Sequence, residues 1–177
     1  MGASLHLVLG GARSGKSRFG EQQLAAAGGG VLLVTAEALD EEMRARIEQH
    51  RRDRHADWPV IEAPHGLAQA VVQAGAGGQP LLIDCLTVWL SNRLLAGADV
   101  AAETRHLADC LAACPVPVIA VSNEVGFGLV PMTPLGRQFR DAAGWLNQAL
   151  AAVAQRVTLV AAGLPLVLKQ SQELSQE

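Results

Sequence analysis

Residues Gly10 to Ser17 read Gly-Gly-Ala-Arg-Ser-Gly-Lys-Ser and satisfy the pattern G-x-x-x-x-G-K-[ST] of a P-loop. That pattern constrains the fold because it works only between a strand and a helix. Leu5 to Leu9 is an apolar run suited to a buried strand. Ser17 to Ala27 has helical composition and stops at Gly28-Gly29-Gly30, where continued helix is costly. The glycines let successive backbone N–H groups turn inward around anionic oxygens, and the helix adds the positive end of its dipole. Lys16 brings a point charge to the β- and γ-phosphates, and the Ser17 hydroxyl suits a magnesium ion. The expected ligand of Gly10, Gly11, Ala12, Arg13, Ser14, Gly15, Lys16 and Ser17 is therefore a nucleoside triphosphate with Mg2+.

The rest of the chain alternates in the way this motif requires. Apolar strands are expected at Val31–Thr35, Val60–Ala63, Leu81–Asp84, Val116–Ser122 and Val157–Ala161, with an edge strand at Leu166–Leu168. Helices are expected at Asp40–Arg54, to about Ala74, at Leu86–Leu95, at Ala101–Ala113 and, after a Gly- and Pro-rich loop from Asn123 to Pro134, through about Ala154. Strands apolar throughout and separated by helices predict one α/β domain over residues 1–169, a P-loop NTPase-like, RecA-like mostly parallel sheet with helices on both faces. Residues 170–177 are polar and read as a disordered tail.

Charge and cysteine content exclude several classes. A net charge of −3 leaves no broad nucleic-acid surface, and Arg51-Arg52-Asp53-Arg54 is too short for a polyanion track. Taken alone, that run is a solvated helix end. Cys85, Cys110 and Cys114 contain no C-x-x-C pair, and no signal peptide precedes the first apolar run, so a reducing cytoplasm is expected. No stretch is long and apolar enough for a membrane span.

Further candidates follow from strand ends, because ligands of open parallel sheets bind outside the carboxyl ends of strands. Asp84 closes an apolar strand, where a second magnesium-positioning carboxylate belongs. Thr35, Ala36 and Glu37 follow another strand. Glu62 ends a third and could accept from both the N1–H and the N2 amine of guanine, or bind ribose. Asn123 and Glu124 end the strand before a Gly- and Pro-rich loop. Glu124 is a candidate general base or magnesium-shell residue, and Phe127 in that loop offers apolar surface. His50 shares a helical face with Met43 and Ile47, so spacing alone leaves a structural histidine open. His55, His65, His6 and His106 are its weaker competitors.

A resemblance narrows these options. Gly10-Gly-Ala-Arg-Ser-Gly-Lys-Ser-Arg18, Asp40-Glu-Glu-Met-Arg-Ala-Arg-Ile-Glu-Gln-His-Arg-Arg-Asp-Arg54 and Leu82-Ile-Asp-Cys-Leu-Thr-Val-Trp89 with Asn92 resemble the bifunctional adenosylcobinamide kinase / adenosylcobinamide-phosphate guanylyltransferase family. So do Ser122-Asn-Glu-Val-Gly-Phe-Gly-Leu-Val-Pro131, Arg137-Gln-Phe-Arg-Asp-Ala-Ala-Gly-Trp-Leu-Asn-Gln148 and Ala162-Gly-Leu-Pro165, in family order. The resemblance implies γ-phosphoryl transfer from ATP or GTP to the aminopropanol hydroxyl of adenosylcobinamide. It also implies transfer of GMP from GTP to the new phosphate, giving adenosylcobinamide-GDP in cobalamin biosynthesis. The family's GMP-carrying histidine corresponds to His50. Arg51, Arg52 and Arg54 beside it would favour neutral imidazole and steady phosphate oxygens, with Asp53 in the same segment. A homo-oligomer, a trimer by resemblance, is expected, and the apolar helix Leu86–Leu95 with Trp89 is a candidate subunit contact. Two other readings stay open from the residues alone: a different P-loop kinase with a structural His50, and an NTP-dependent switch or assembly protein.

Overall fold

The computed structural model describes residues 4–37, 41 and 58–171. The expected helix Asp40–Arg54 lies outside the described residues apart from Glu41. The described strands are β1 (Leu5–Gly10), β2 (Val31–Val34), β3 (Val60–Glu62), β4 (Leu81–Asp84), β5 (Val118–Asn123), β6 (Arg156–Ala161) and β7 (Leu164–Gln170). The described helices are α1 (Lys16–Ala26), α2 (Leu67–Gly75), α3 (Leu86–Leu95), α4 (Val100–Ala113) and α5 (Pro134–Val153).

The strands form one sheet in the order β3-β2-β4-β5-β1-β6-β7. All neighbours are parallel except β6 and β7, which pair antiparallel. Alternation along the strands feeds two cores. Leu5, Leu7, Leu81, Ile83, Val118 and Ala120 face a large core completed by α2, α3, α4 and α5. The intervening Val8, Leu82, Ile119 and Val121 face a smaller core with Leu24 of α1. Strands covered on both faces have no polar side, which is why they read as unbroken apolar runs. Gly20 lets α1 approach closely, since a Cβ there would sit 3.0 Å from Val121 and 3.1 Å from Leu82.

Two strands differ from expectation by two residues at a boundary. The strand β5 starts at Val118 rather than Val116, because Pro115 and Pro117 carry no backbone donor for the ladder. Strand β7 runs from Leu164 through Gln170, because Ala162 (φ 51°) and Gly163 (φ 78°) form a tight hairpin turn that pairs it with β6 from its first residue. The expected subunit contact at Trp89 is also corrected. Trp89 is 2% exposed, and its indole N–H donates to the His65 carbonyl at 3.1 Å. Among the described residues no helix is long and apolar enough to cross a membrane.

His6 lies in β1 with Nε2 2.8 Å from the Thr158 hydroxyl and Phe19 edge-on at 6.0 Å. Burial, with Arg156 adding, lowers its pKa to about 4. An unfolded imidazole titrates near 6.5, so from pH 6.5 down to 4 the unfolded chain binds a proton that the folded chain refuses. Stability should therefore fall through that window. Melting curves of His6→Gln should show a shallower loss of Tm from pH 6.5 to 4 than wild type, and parallel losses would remove His6 from the account.

Candidate active site

The parallel strands bring their carboxyl ends to one edge, and five of them end at or beside candidate residues: Gly10, Thr35, Glu62, Asp84 and Asn123. At the centre, Gly10 pairs with Asn123 on one side and Val160 on the other. A Cβ on Gly10 would collide with the Ser14 hydroxyl and the Val160 carbonyl, so only glycine starts the loop here. Arg13 (φ 55°) and Gly15 (φ 94°) turn the chain into α1, whose N-terminus has no side-chain cap. Its first-turn N–H groups are thus available to an anion, and the helix dipole favours negative charge there. Lys16 is buried with Nζ donating to the Gly11 carbonyl at 3.2 Å. The hairpin tip braces the loop from outside, Gly163 N–H donating to the Ser14 carbonyl at 2.8 Å.

Beside this cradle the Ser17 hydroxyl donates to Asp84 Oδ1 at 3.3 Å. One hydroxyl and one carboxylate, both hard oxygen donors, fit a magnesium ion that takes its other ligands from phosphates and water. The described residues hold no group of three or more His, Cys, Asp or Glu that would form an all-protein metal cage. Neighbouring Cys85 is not a nucleophile in this setting, because burial, with Asp84 adding, pushes its thiol up to about 11.

The rim over β2 and β3 is tied together by polar groups. Thr35 is fully buried, and its hydroxyl donates to the Cys85 carbonyl at 2.6 Å and accepts from the Cys85 N–H at 3.1 Å. Thr35 therefore joins the ends of β2 and β4, and its hydroxyl is already engaged. Buried Asn92 on α3 spends both amide hydrogens on this rim, donating to Thr35 O at 2.9 Å and Pro64 O at 3.1 Å. Ala36 is half-buried, and the Glu37 carboxylate next to it meets His65 Nε2 at 2.8 Å. Glu62 ends the exposed edge strand β3.

Over β5, the Glu124 N–H donates to Gly10 O at 3.0 Å, and Glu124 Oε1 accepts from Gly126 N–H at 2.6 Å. One carboxylate oxygen is thus held by its own loop. Phe127 beyond it is 85% exposed, and Leu129 and Met132 are exposed with it. Arg137 pins the end of this loop by donating to the Pro131 and Met132 carbonyls. His50, Arg51, Arg52, Asp53 and Arg54 lie outside the described residues.

Sequence reasoning assigned no role to Thr87, Ser122 and Asn147, or to the rim clamp of Asn92. Asn92 and Asn147 carried a signal nonetheless. Each is an amide at a buried position of an otherwise apolar helix face, where an unpaired polar group is expensive and a partner is implied.

The cradle makes a direct prediction. Lys16→Ala should weaken triphosphate binding about 10- to 100-fold, the worth of a charge-assisted hydrogen bond. Asp84→Asn should bind magnesium-free nucleotide normally while losing the increment that magnesium adds. Titration calorimetry with a non-hydrolysable triphosphate, with and without magnesium, checks both; unchanged affinities would refute this reading of the site.

The fold is similar to that of a KaiC-like protein from Pyrococcus horikoshii OT3 (TM-score 0.50, 14% identity, 88% of this chain and 70% of that one). It is similar also to the P4 protein of bacteriophage phi6, solved with ADP (TM-score 0.50, 18% identity, 93% of this chain and 54% of that one). At these identities the likeness concerns the P-loop NTPase-like fold alone. In sequence, the chain is 46% identical to the bifunctional adenosylcobalamin biosynthesis protein CobP of Pseudomonas aeruginosa, over 92% of this chain and 96% of that one. It is 37% identical to the bifunctional adenosylcobalamin biosynthesis protein CobU of Escherichia coli, over 92% of this chain and 98% of that one. Residues 6–168 match the family model described as cobinamide kinase / cobinamide phosphate guanyltransferase. With that match spanning nearly every element around the cradle, the chain belongs to the cobinamide kinase / cobinamide phosphate guanyltransferase family.

Proposed function

We propose that this chain carries both family activities, phosphorylating adenosylcobinamide on its aminopropanol hydroxyl and then converting the phosphate to adenosylcobinamide-GDP with GTP, in the cytoplasm. The observation that carries this reading is the phosphate cradle itself, with Lys16 inside it and the Ser17–Asp84 pair at 3.3 Å beside it, in a chain matched to the family over residues 6–168.

In the first reaction the substrate hydroxyl attacks the γ-phosphorus of ATP or GTP, and the bond from that phosphorus to the β-phosphate oxygen breaks. The cradle N–H groups and Lys16 hold the β- and γ-phosphates in line, so catalysis is mostly positioning and charge stabilisation. Glu124 takes the hydroxyl proton, using the carboxylate oxygen that its loop leaves free. Ser17 and Asp84 would hold magnesium, which when bound neutralises charge on the phosphates. Phe127 and the exposed loop around it offer apolar surface to the corrin ring of the substrate.

In the second reaction a neutral His50 nitrogen attacks the α-phosphorus of GTP, and the bond to the β-phosphate oxygen breaks to release pyrophosphate. The cobinamide phosphate oxygen then attacks the same phosphorus, and breaking the P–N bond returns the histidine. Arg51, Arg52 and Arg54 keep the imidazole neutral and steady the phosphate oxygens, with Asp53 among them. Glu37 and Glu62 at the rim are the groups for guanine or ribose. Position supports this, since both stand at the carboxyl edge and Glu37 is oriented by His65. Self-association, as a trimer by resemblance, belongs to the same reading. The exposed Leu164, Leu166 and Leu168 on edge strand β7 favour a contact there over α3.

Incubation with α-labelled GTP and magnesium should leave a GMP adduct on the wild-type protein that survives base and is released by acid. His50→Ala should lose the adduct and keep kinase turnover, because γ-transfer does not need the imidazole. A His50→Ala protein that still takes up label, or a wild-type protein that never does, would remove the guanylyltransferase half of the proposal.

A further inference from the structure

Beneath the cradle runs a closed ring of hydrogen bonds that begins and ends on the main chain of Asn123. Its N–H donates to the Thr87 hydroxyl at 2.6 Å. Thr87 and Ser122 hydroxyls lie 3.3 Å apart, and the Ser122 hydroxyl donates to Asn147 Oδ1 at 2.7 Å. The Asn147 amide then donates back to the Asn123 carbonyl at 3.1 Å. Every proton in this circuit has one consistent direction: with Ser122 donating to Asn147, the Thr87 hydroxyl must be the donor to Ser122. Ser122, Thr87 and Asn147 are 1%, 5% and 6% exposed, deep in an apolar layer where an incomplete network would be costly.

The strand pleat decides what the ring holds. Successive side chains of a strand point to opposite faces. Ser122 points to the α3 and α5 face, where it meets Thr87 and Asn147. Val121 and Asn123 therefore project to the other face, where Val121 joins the core under α1 and pairs in register with Asp84. Asn123 stands two residues farther along, level with Gly10 at the start of the cradle. Its main chain is gripped from one face while its carboxamide is presented on the other. That carboxamide has no role in the packing network, and its Oδ1 is buried without a hydrogen-bond partner among the described residues. An amide oxygen accepts and would repel an anion, so what the carboxamide can offer the cradle is its NH2 end, which makes no hydrogen bond among the described residues.

Building on the kinase reading above, we propose that Asn123 is a further catalytic residue of phosphoryl transfer, its carboxamide donating to the γ-phosphoryl group, and that Thr87, Ser122 and Asn147 are positioning residues that hold it there. Asn123 sits on β5, between the P-loop strand β1 and the Asp84 strand β4. An amide has no basic lone pair for a proton, so its contribution is a preorganised donor at developing charge. In the guanylyl reaction the same phosphate leaves inside pyrophosphate and gains little from that donor.

The test uses the full chain and separates the two reactions. Asn123→Ala leaves all four ring bonds in place, because they use only its main chain. Its kinase kcat should fall on the order of 100-fold, as for loss of one preorganised transition-state donor, with the nucleotide KM and Tm held. GMP-adduct formation should fall far less. Thr87→Val should lower kinase kcat in the same selective way, and Thr87→Ser, which restores the hydroxyl, should recover it. Unchanged kinase turnover in Asn123→Ala would overturn the proposal, as would parallel losses of both reactions and of Tm in Thr87→Val. Absence of kinase turnover in wild type would instead overturn the reading on which the proposal rests.

Discussion

The P-loop keeps its shape because β1 is held on both sides at its last residue. Gly10 lies between Asn123 of β5 and Val160 of β6, with Ser14 folded so closely over it that no side chain fits. A loop that turns its N–H groups toward an anion cannot satisfy them within itself, so its neighbours must hold the turn open. Here the Glu124 N–H takes the Gly10 carbonyl, and the Gly163 N–H of the β6–β7 hairpin takes the Ser14 carbonyl. The uncapped start of α1 then faces the resulting hollow. Everything proposed for the chemistry depends on that arrangement.

The rest of the edge is organised by polar side chains that are themselves inaccessible. Thr35 joins β2 to β4, Asn92 joins β2 to the segment after β3, and the Thr87–Ser122–Asn147 chain fixes the end of β5. Each is buried in a core otherwise built from aliphatic residues, and each places a main-chain segment that ends at the rim. A fully apolar core of the same shape would be easier to stabilise but would lack these ties to the strand ends. Positioning of that kind is what phosphoryl transfer needs, since little of its barrier is lowered by covalent chemistry.

Much of this was legible in the sequence, for identifiable reasons. The P-loop pattern, the apolar runs and the position of Asp84 at a strand end gave the central sheet and the Ser17–Asp84 pair, because those signals are local. The hairpin at Ala162-Gly163 was harder to read as structure: its positive φ at a non-glycine residue is set by pairing with β6 rather than by composition. Trp89 was misplaced because an apolar helix face looks alike whether it meets another subunit or its own core. The ring through Asn147 joins α3, β5 and α5, and no spacing rule connects residues 87, 122 and 147. Only the fold brings them together.

The two proposed reactions share one cradle, which holds the γ-phosphate in the first and the departing pyrophosphate in the second, so a ligand held for γ-transfer must exclude GTP poised for GMP transfer. The direct measurement is the rate of GMP-adduct formation from α-labelled GTP against increasing concentrations of an ATP analogue with a non-transferable γ-phosphate. Competitive inhibition is expected, complete at saturation, with an inhibition constant equal to the analogue's dissociation constant measured on the same protein. Adduct formation that continues undiminished when the analogue saturates would show a second triphosphate site and contradict it.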